Sequence, residues 1–325
     1  RTHSMSAETA NHYIENTYLT QRQILCEYFQ SREGYKIRVM GWQSSEAIKG
    51  TVLILQGFTE FIEKYEEVTV ELLNKGYHVV TFDWRGQGLS HRFLDDPLRG
   101  YVDSFDAMIL ECYDIYETYV RELARPHIML AHSMGGCIGL RLLQQEHGFD
   151  AGIFSSPMLD WHSPVAVAQA LSKVMINLGK GSDFGIGSGP PDPEQKEHVR
   201  ARLTTCQGRI DMITRLYSKN SLFLMGGPTW KWIFEGSRSM RLARRVSNVK
   251  KIKIPCLIFS PDGDSVVKTD VNKKLAFYNK RIQVRVVEGC QHEILMEVDK
   301  HRHYFWNEFD LFTNQLDTPE AHVNS

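Results

Sequence analysis

The chain has 325 residues, 42% apolar and 24% charged, an ordinary globular composition with room for a large core plus an inserted or second domain. Its 38 lysines and arginines nearly balance 39 aspartates and glutamates, so a net charge of −1 offers no basic field for nucleic acid and no acidic tail. Apolar runs such as TVLIL and CLIF fall far short of the roughly 18 residues of a membrane span.

In chain order, residues 1–34 are expected to hold a terminal remnant (RTHS ahead of Met5) and one helix, with no secretory leader and a cytoplasmic location. Short β-branched runs then alternate with helical patterns, which predicts βαβ units and a mostly parallel sheet. The expected strands are 35–42, 50–55, 78–83, 127–131 and 151–156. Between them, helices are expected over 66–75, closed by Gly76, and over 104–123, with Phe105, Met108, Ile109, Tyr113 and Tyr116 as the buried stripe. After Pro157 the pattern changes. Residues 158–248 read as a helical insertion, including the Gly/Pro-rich stretch 179–193. Within it, Val165, Ala168, Leu171, Met175 and Leu178 share helical spacing, a row that either faces the core or touches a lipid surface. Strands return at 254–260 and 283–289, with a helix over 268–278 between them and a closing amphipathic helix over 299–316. The expected architecture is an α/β core in two parts, 35–157 and 249–325, interrupted by a helical cap.

Six cysteines are scattered without any CxxC spacing, so a zinc site is not expected, and Cys137, Cys256 and Cys290, in or beside apolar runs, are expected as small core residues. No cofactor or metal is expected.

The chemistry-bearing stretch is IMLAHSMGGCIGL, residues 128–140. Ser133 follows an expected strand and opens an expected helix, a sharp turn that exposes a hydroxyl at the sheet's carboxyl edge. The usual pattern is G-x-S-x-G, and Ala131 replaces the first glycine. Alone, the pattern fits a structural turn as well as a nucleophile. A nucleophilic serine needs a base, and the base needs a group to fix its tautomer. PDGDSVV follows one late strand and CQHEILME the next, giving the order Ser133, Asp264, His292 expected of an α/β-hydrolase. Asp262 lies in the same turn-rich segment and competes with Asp264, which is preferred because SVV follows it directly. His132 is expected to point away from the site. Two backbone donors are required for an oxyanion, and Met134 N–H and Phe58 N–H, the latter after the flexible Gly57, are the candidates.

Several stretches resemble the monoglyceride lipase and lysophospholipase branch of the α/β-hydrolases: QGFTEFIEKYEE (56–67), FDWRGQGLS (82–90), AHSMGG (131–136), SPDGDSVV (260–267) and EGCQHEILME (288–297). The likeness runs from about residue 35 to 310 and is weaker in the insertion. It implies Ser133 as nucleophile, His292 as base and then acid, Asp264 as its partner, and backbone donors at Phe58 and Met134. The D-x-R-G-x-G-x-S motif at Asp83, Arg85, Gly86, Gly88 and Ser90 implies a tight loop beside the site, held by a charged pair. Where family members carry His-Gly, this chain carries Gln56-Gly57.

The expected function is hydrolysis of a lipid-like carboxylic ester, a lysophospholipid or monoacylglycerol, with membrane or micelle contact through the cap and no nucleic-acid partner. The alternatives are a non-lipid carboxylesterase or lactonase, and a catalytically silent relative that binds an apolar ligand.

Overall fold

The structure, a computed structural model, describes residues 9–192 and 202–316. Residues 1–4, Met5 and Pro193 lie outside the described residues.

Eight strands form one sheet: β1 Gln23–Gln30, β2 Lys36–Trp42, β3 Gly50–Leu55, β4 Tyr77–Phe82, β5 His127–His132, β6 Ala151–Ser155, β7 Cys256–Pro261 and β8 Ile282–Val287. Their spatial order is β1-β2-β4-β3-β5-β6-β7-β8. β2 runs antiparallel to both β1 and β4, and every pairing from β4 to β8 is parallel. Seven of the strands sit where the apolar runs place them. β1 is an addition to the expected N-terminal remnant and helix. Its sequence QILCEYFQ mixes Gln and Glu into the apolar positions because it is a half-buried edge strand, so no unbroken apolar run marks it.

Every residue of β3 to β7 is buried, as a sheet covered on both faces requires. Alternate side chains enter two cores. Leu53, Leu55, Val80, Phe82, Met129 and Ala131 pack with helices α3 Phe105–Tyr119 and α4 Ser133–Leu143. Val52, Ile54, Val79, Ile128 and Leu130 pack with α2 Glu66–Asn74 and with the closing helix, Asp299–Thr313. A short helix, α1 Thr17–Arg22, precedes β1 and buries Leu19 in the second core.

Between β6 and β7 the chain forms α5 Val165–Asn177, α6 Gln207–Lys219, α7 Trp230–Ala243 and α8 Val246–Val249. After β7 come α9 Asp270–Tyr278 and, after β8, α10 Asp299–Thr313. The apolar row expected on α5 is split by the structure. Val165 is buried and Ala168 and Met175 are half-buried, whereas Leu171 and Leu178 face outward with Val167 and Val174. The packed face of α5 is instead centred on Val165 and Ser172. Trp232 of α7 packs against Phe58 with ring centroids 4.4 Å apart and the planes tilted by 39°, which ties the segment between β6 and β7 to the loop after β3. Among the described residues no helix is long and apolar enough to cross a membrane.

Candidate active site

β5 ends at His132 and α4 begins at Ser133, with no residue between them. Ser133 takes up the whole change of direction at φ +49°, a left-handed conformation rare outside glycine. The turn closes only because its neighbours are small. A Cβ at Gly135 would lie 2.4 Å from the carbonyl oxygens of Leu55 and Gln56, so the helix start and the end of β3 touch through backbone alone. Ala131, two residues before the serine, pairs with Leu55 and Phe154 inside the sheet, and its methyl belongs to the core. The methyl is accommodated there because the close backbone approach is made at Gly135, not at position 131.

His292 follows β8 and Asp264 follows β7. The structure brings them to Ser133: His292 Nδ1 lies 2.6 Å from Asp264 Oδ2, and His292 Nε2 lies 2.9 Å from Ser133 Oγ. A carboxylate only accepts, so Nδ1 carries the proton and the neutral ring presents Nε2 as acceptor to the serine hydroxyl. Asp264 Oδ1 accepts the N–H groups of Val266 and Val267 at 2.8 and 3.0 Å, which orients the carboxylate. Burial pushes the Asp264 carboxyl up, but His292 and these two N–H groups outweigh it and hold the group below the ordinary aspartate range. Asp262 instead faces solvent, where Oδ1 accepts the Gly289 N–H. Ser156, at φ +47°, donates its hydroxyl to the His292 carbonyl at 2.7 Å and fixes the histidine loop. Nothing in the sequence singled Ser156 out, because its role rests on a contact across 136 positions.

The loop after β3 carries Phe58. Among the described residues no acceptor takes the Phe58 N–H, while Gly57 donates its own N–H to Glu60 Oε2. Gln56 turns away from the site: Nε2 reaches Thr81 Oγ1 at 3.3 Å inside the core, and its carbonyl accepts Trp84 Nε1–H at 2.8 Å. The Gln56 side chain therefore lies behind the loop, on the side away from the Phe58 N–H. As the D-x-R-G-x-G-x-S motif suggested, charges hold the neighbouring loop. Arg38 forms a buried pair with Asp83 and a two-pronged one with Glu63, and Arg85 pairs with Glu111. Gly88 is required there, since a Cβ would lie 2.2 Å from the Asp83 carboxylate.

A cavity of about 410 Å3 opens over Ser133 and His292, walled by Phe58, Leu203, Tyr217, Met225 and Val266 and by the Gly/Pro loops 187–191 and 226–228. His132 also lines it, contrary to the expectation that this ring points away. Its Nδ1 lies 3.0 Å from the Ser155 carbonyl, and its ring centre is 4.9 Å from that of His292. Burial lowers its pKa below the ordinary histidine value, against the pull of Glu60. Glu60, His132 and Glu293 converge closely enough to suggest a metal trio. Lys64 Nζ, however, sits 2.7 Å from both carboxylates and supplies the positive charge there. Glu60 and Lys64, four residues apart in GFTEFIEKYEE, were legible as an ion pair, but the reach to Glu293 was not.

Residues 46–299 match the family described as serine aminopeptidase, S33 (Hydrolase_4). The chain belongs to this family. It is 28% identical over 276 residues to a probable lysophospholipase L2 of Haemophilus influenzae, covering 84% of this chain and 86% of that protein. It is 26% identical over 291 residues to lysophospholipase L2 of Escherichia coli, covering 83% and 82%. A soluble variant of monoglyceride lipase from Saccharomyces cerevisiae, solved with a substrate analog, superimposes with a TM-score of 0.71 over 90% of this chain and 96% of that one, at 17% identity. The fold is thus the α/β-hydrolase fold, and here helices α5 to α8 lie between β6 and β7.

Proposed function

We propose that the chain is a serine hydrolase cleaving carboxylic esters of lipid-like substrates, lysophospholipids or monoacylglycerols, through an acyl-enzyme on Ser133. The observation that carries this reading is the continuous Asp264–His292–Ser133 contact at 2.6 and 2.9 Å beneath the cavity. His292 Nε2 takes the Ser133 proton as Oγ bonds to the acyl carbon, and Asp264 stabilises the imidazolium. The Phe58 and Met134 N–H groups hold the oxyanion, Met134 from the open first turn of α4. Collapse breaks the ester C–O bond, and His292 returns the proton to the leaving alcohol. Water, deprotonated by the same nitrogen, then attacks the acyl carbon and releases the acid and Ser133. No cofactor enters the scheme.

The family's name points to peptides, and the two acids beside His132, Glu60 and Glu293, share a single cation, Lys64. The relatives' names and the apolar cavity wall support an acyl chain instead. The row Val167, Leu171, Val174 and Leu178 on α5, 63%, 39%, 53% and 65% exposed, is where we place contact with a micelle or membrane surface.

The test is a side-by-side assay of short and long acyl esters, monoacylglycerols, lysophosphatidylcholine and an aminoacyl anilide. Preference for the long-chain lipid esters is expected. A preference for short esters or for the anilide would remove the lipid reading.

A further inference from the structure

We infer that Gln87 is a positioning residue for the oxyanion loop: it holds the turn from Gly57 to Glu60 in the one shape that leaves the Phe58 N–H free for substrate. The inference rests on the reading of Phe58 as an oxyanion donor.

Thr59 lies at φ +64°, a left-handed conformation that a β-branched side chain adopts only when its surroundings impose it. Gln87 imposes it from behind. Its Nε2 donates to the Gly57 carbonyl at 2.8 Å and to the Glu60 carbonyl at 2.9 Å, and its Oε1 accepts the Thr59 N–H at 3.3 Å. Both amide hydrogens and the oxygen are spent on one four-residue turn. Reversing the amide would set an oxygen against two carbonyls, so only one orientation is satisfied.

The turn's own donors are then accounted for one by one. Gly57 N–H goes to the Glu60 carboxylate, Thr59 N–H to Gln87, and Glu60 N–H closes on the Gly57 carbonyl at 3.4 Å. Phe58 N–H is the one left over among the described residues. Gln87 is buried at 3% exposure and is not among the cavity-lining residues, so it acts through the loop rather than on substrate. Its place in the DWRGQGLS motif is fixed by the left-handed glycines on either side, Gly86 and Gly88, and by its own N–H to the Trp84 carbonyl at 3.1 Å. The motif thus reaches from the Asp83 ion pair into the turn from Gly57 to Glu60 through this side chain, beside the Trp84 indole that holds the Gln56 carbonyl.

The experiment compares wild type, Gln87→Met, Gln87→Glu and the double variant Gln87→Met/Thr59→Gly on a chromogenic ester, with kcat, KM and Tm measured for each. Methionine keeps the volume and removes all three bonds. Glutamate keeps the acceptor for Thr59 and turns a carboxylate toward two carbonyls. Both single variants are expected to lower kcat roughly ten- to hundredfold while KM stays within about twofold. Thr59→Gly is expected to recover part of the loss in the methionine background, since glycine adopts a positive φ without strain. Wild-type kcat in Gln87→Met would overturn the inference. A joint fall of kcat and Tm with no recovery from Thr59→Gly would overturn it too, by showing general support of the fold. Should Gln87→Met not fold, Gln87→Glu decides on the same criteria. Absence of ester turnover in the wild type would instead sink the underlying reading of the site.

Discussion

His292 donates Nδ1–H to Asp264 across 2.6 Å, and this one contact determines which ring nitrogen faces Ser133. Asp264→Asn removes the charge and admits the opposite tautomer, so kcat is expected to fall roughly 10³- to 10⁴-fold with the fold intact. Asp262→Asn is expected to leave kcat within about twofold, because that side chain caps Gly289 at the surface. Steady-state kinetics on both variants separates the two aspartates. Comparable losses would show that the pairing does not carry turnover.

The elbow places different demands on its two small residues. Gly135→Ala drives a Cβ to 2.4 Å from two backbone oxygens that have no room to retreat, so loss of activity or of folding is expected. Ala131→Gly removes a core methyl and loosens a strand, which is expected to cost about 0.5–1 kcal/mol of stability while kcat holds. Denaturant unfolding with parallel assays checks both, and a gain in kcat for Ala131→Gly would show that the methyl strains the turn.

Gln56 is buried, its Oε1 without a partner among the described residues and its Nε2 in one long contact to Thr81. Gln56→Met is therefore expected to change stability by no more than about 1 kcal/mol and to leave kcat unaltered. A tenfold fall in kcat would place its side chain in the oxyanion machinery after all.

Glu60 gives the site an acid-side dependence. Burial pushes its carboxyl up, but Lys64, His132 and the Tyr65 hydroxyl more than offset this and hold it at about 2. Because that lies below the ordinary value of 4.5, the stabilisation is complete above about pH 4.5 and is lost as pH falls toward 2. Tm measured between those limits is expected to fall less steeply in Glu60→Gln than in wild type. Parallel slopes would mean that other carboxylates govern acid unfolding.

Much of the fold was legible because parallel strands buried on both faces are mostly apolar, and β3 to β7 are all of that kind. β1 was not, since an edge strand needs only half its residues apolar and its partner lies across a turn. The convergence of Ser133, His292 and Asp264 was legible because each follows a strand, in the order expected of an α/β-hydrolase. Ser156, His132 and Gln87 carry no such signal. Their roles come from contacts between segments far apart in sequence, and a lone serine, histidine or glutamine reads the same in any loop. The α5 row misled for a related reason: helical spacing marks an amphipathic face but does not say which face the neighbouring helix covers.

His292 Nε2, 2.9 Å from Ser133 Oγ, is placed to activate it as the proposed nucleophile. Reaction of the folded protein with a fluorophosphonate, followed by intact mass and peptide mapping, tests that role most directly. A single adduct on Ser133 is expected, absent in Ser133→Ala and slowed in His292→Ala. A folded wild type that stays unlabelled, or an adduct on another residue, would contradict it.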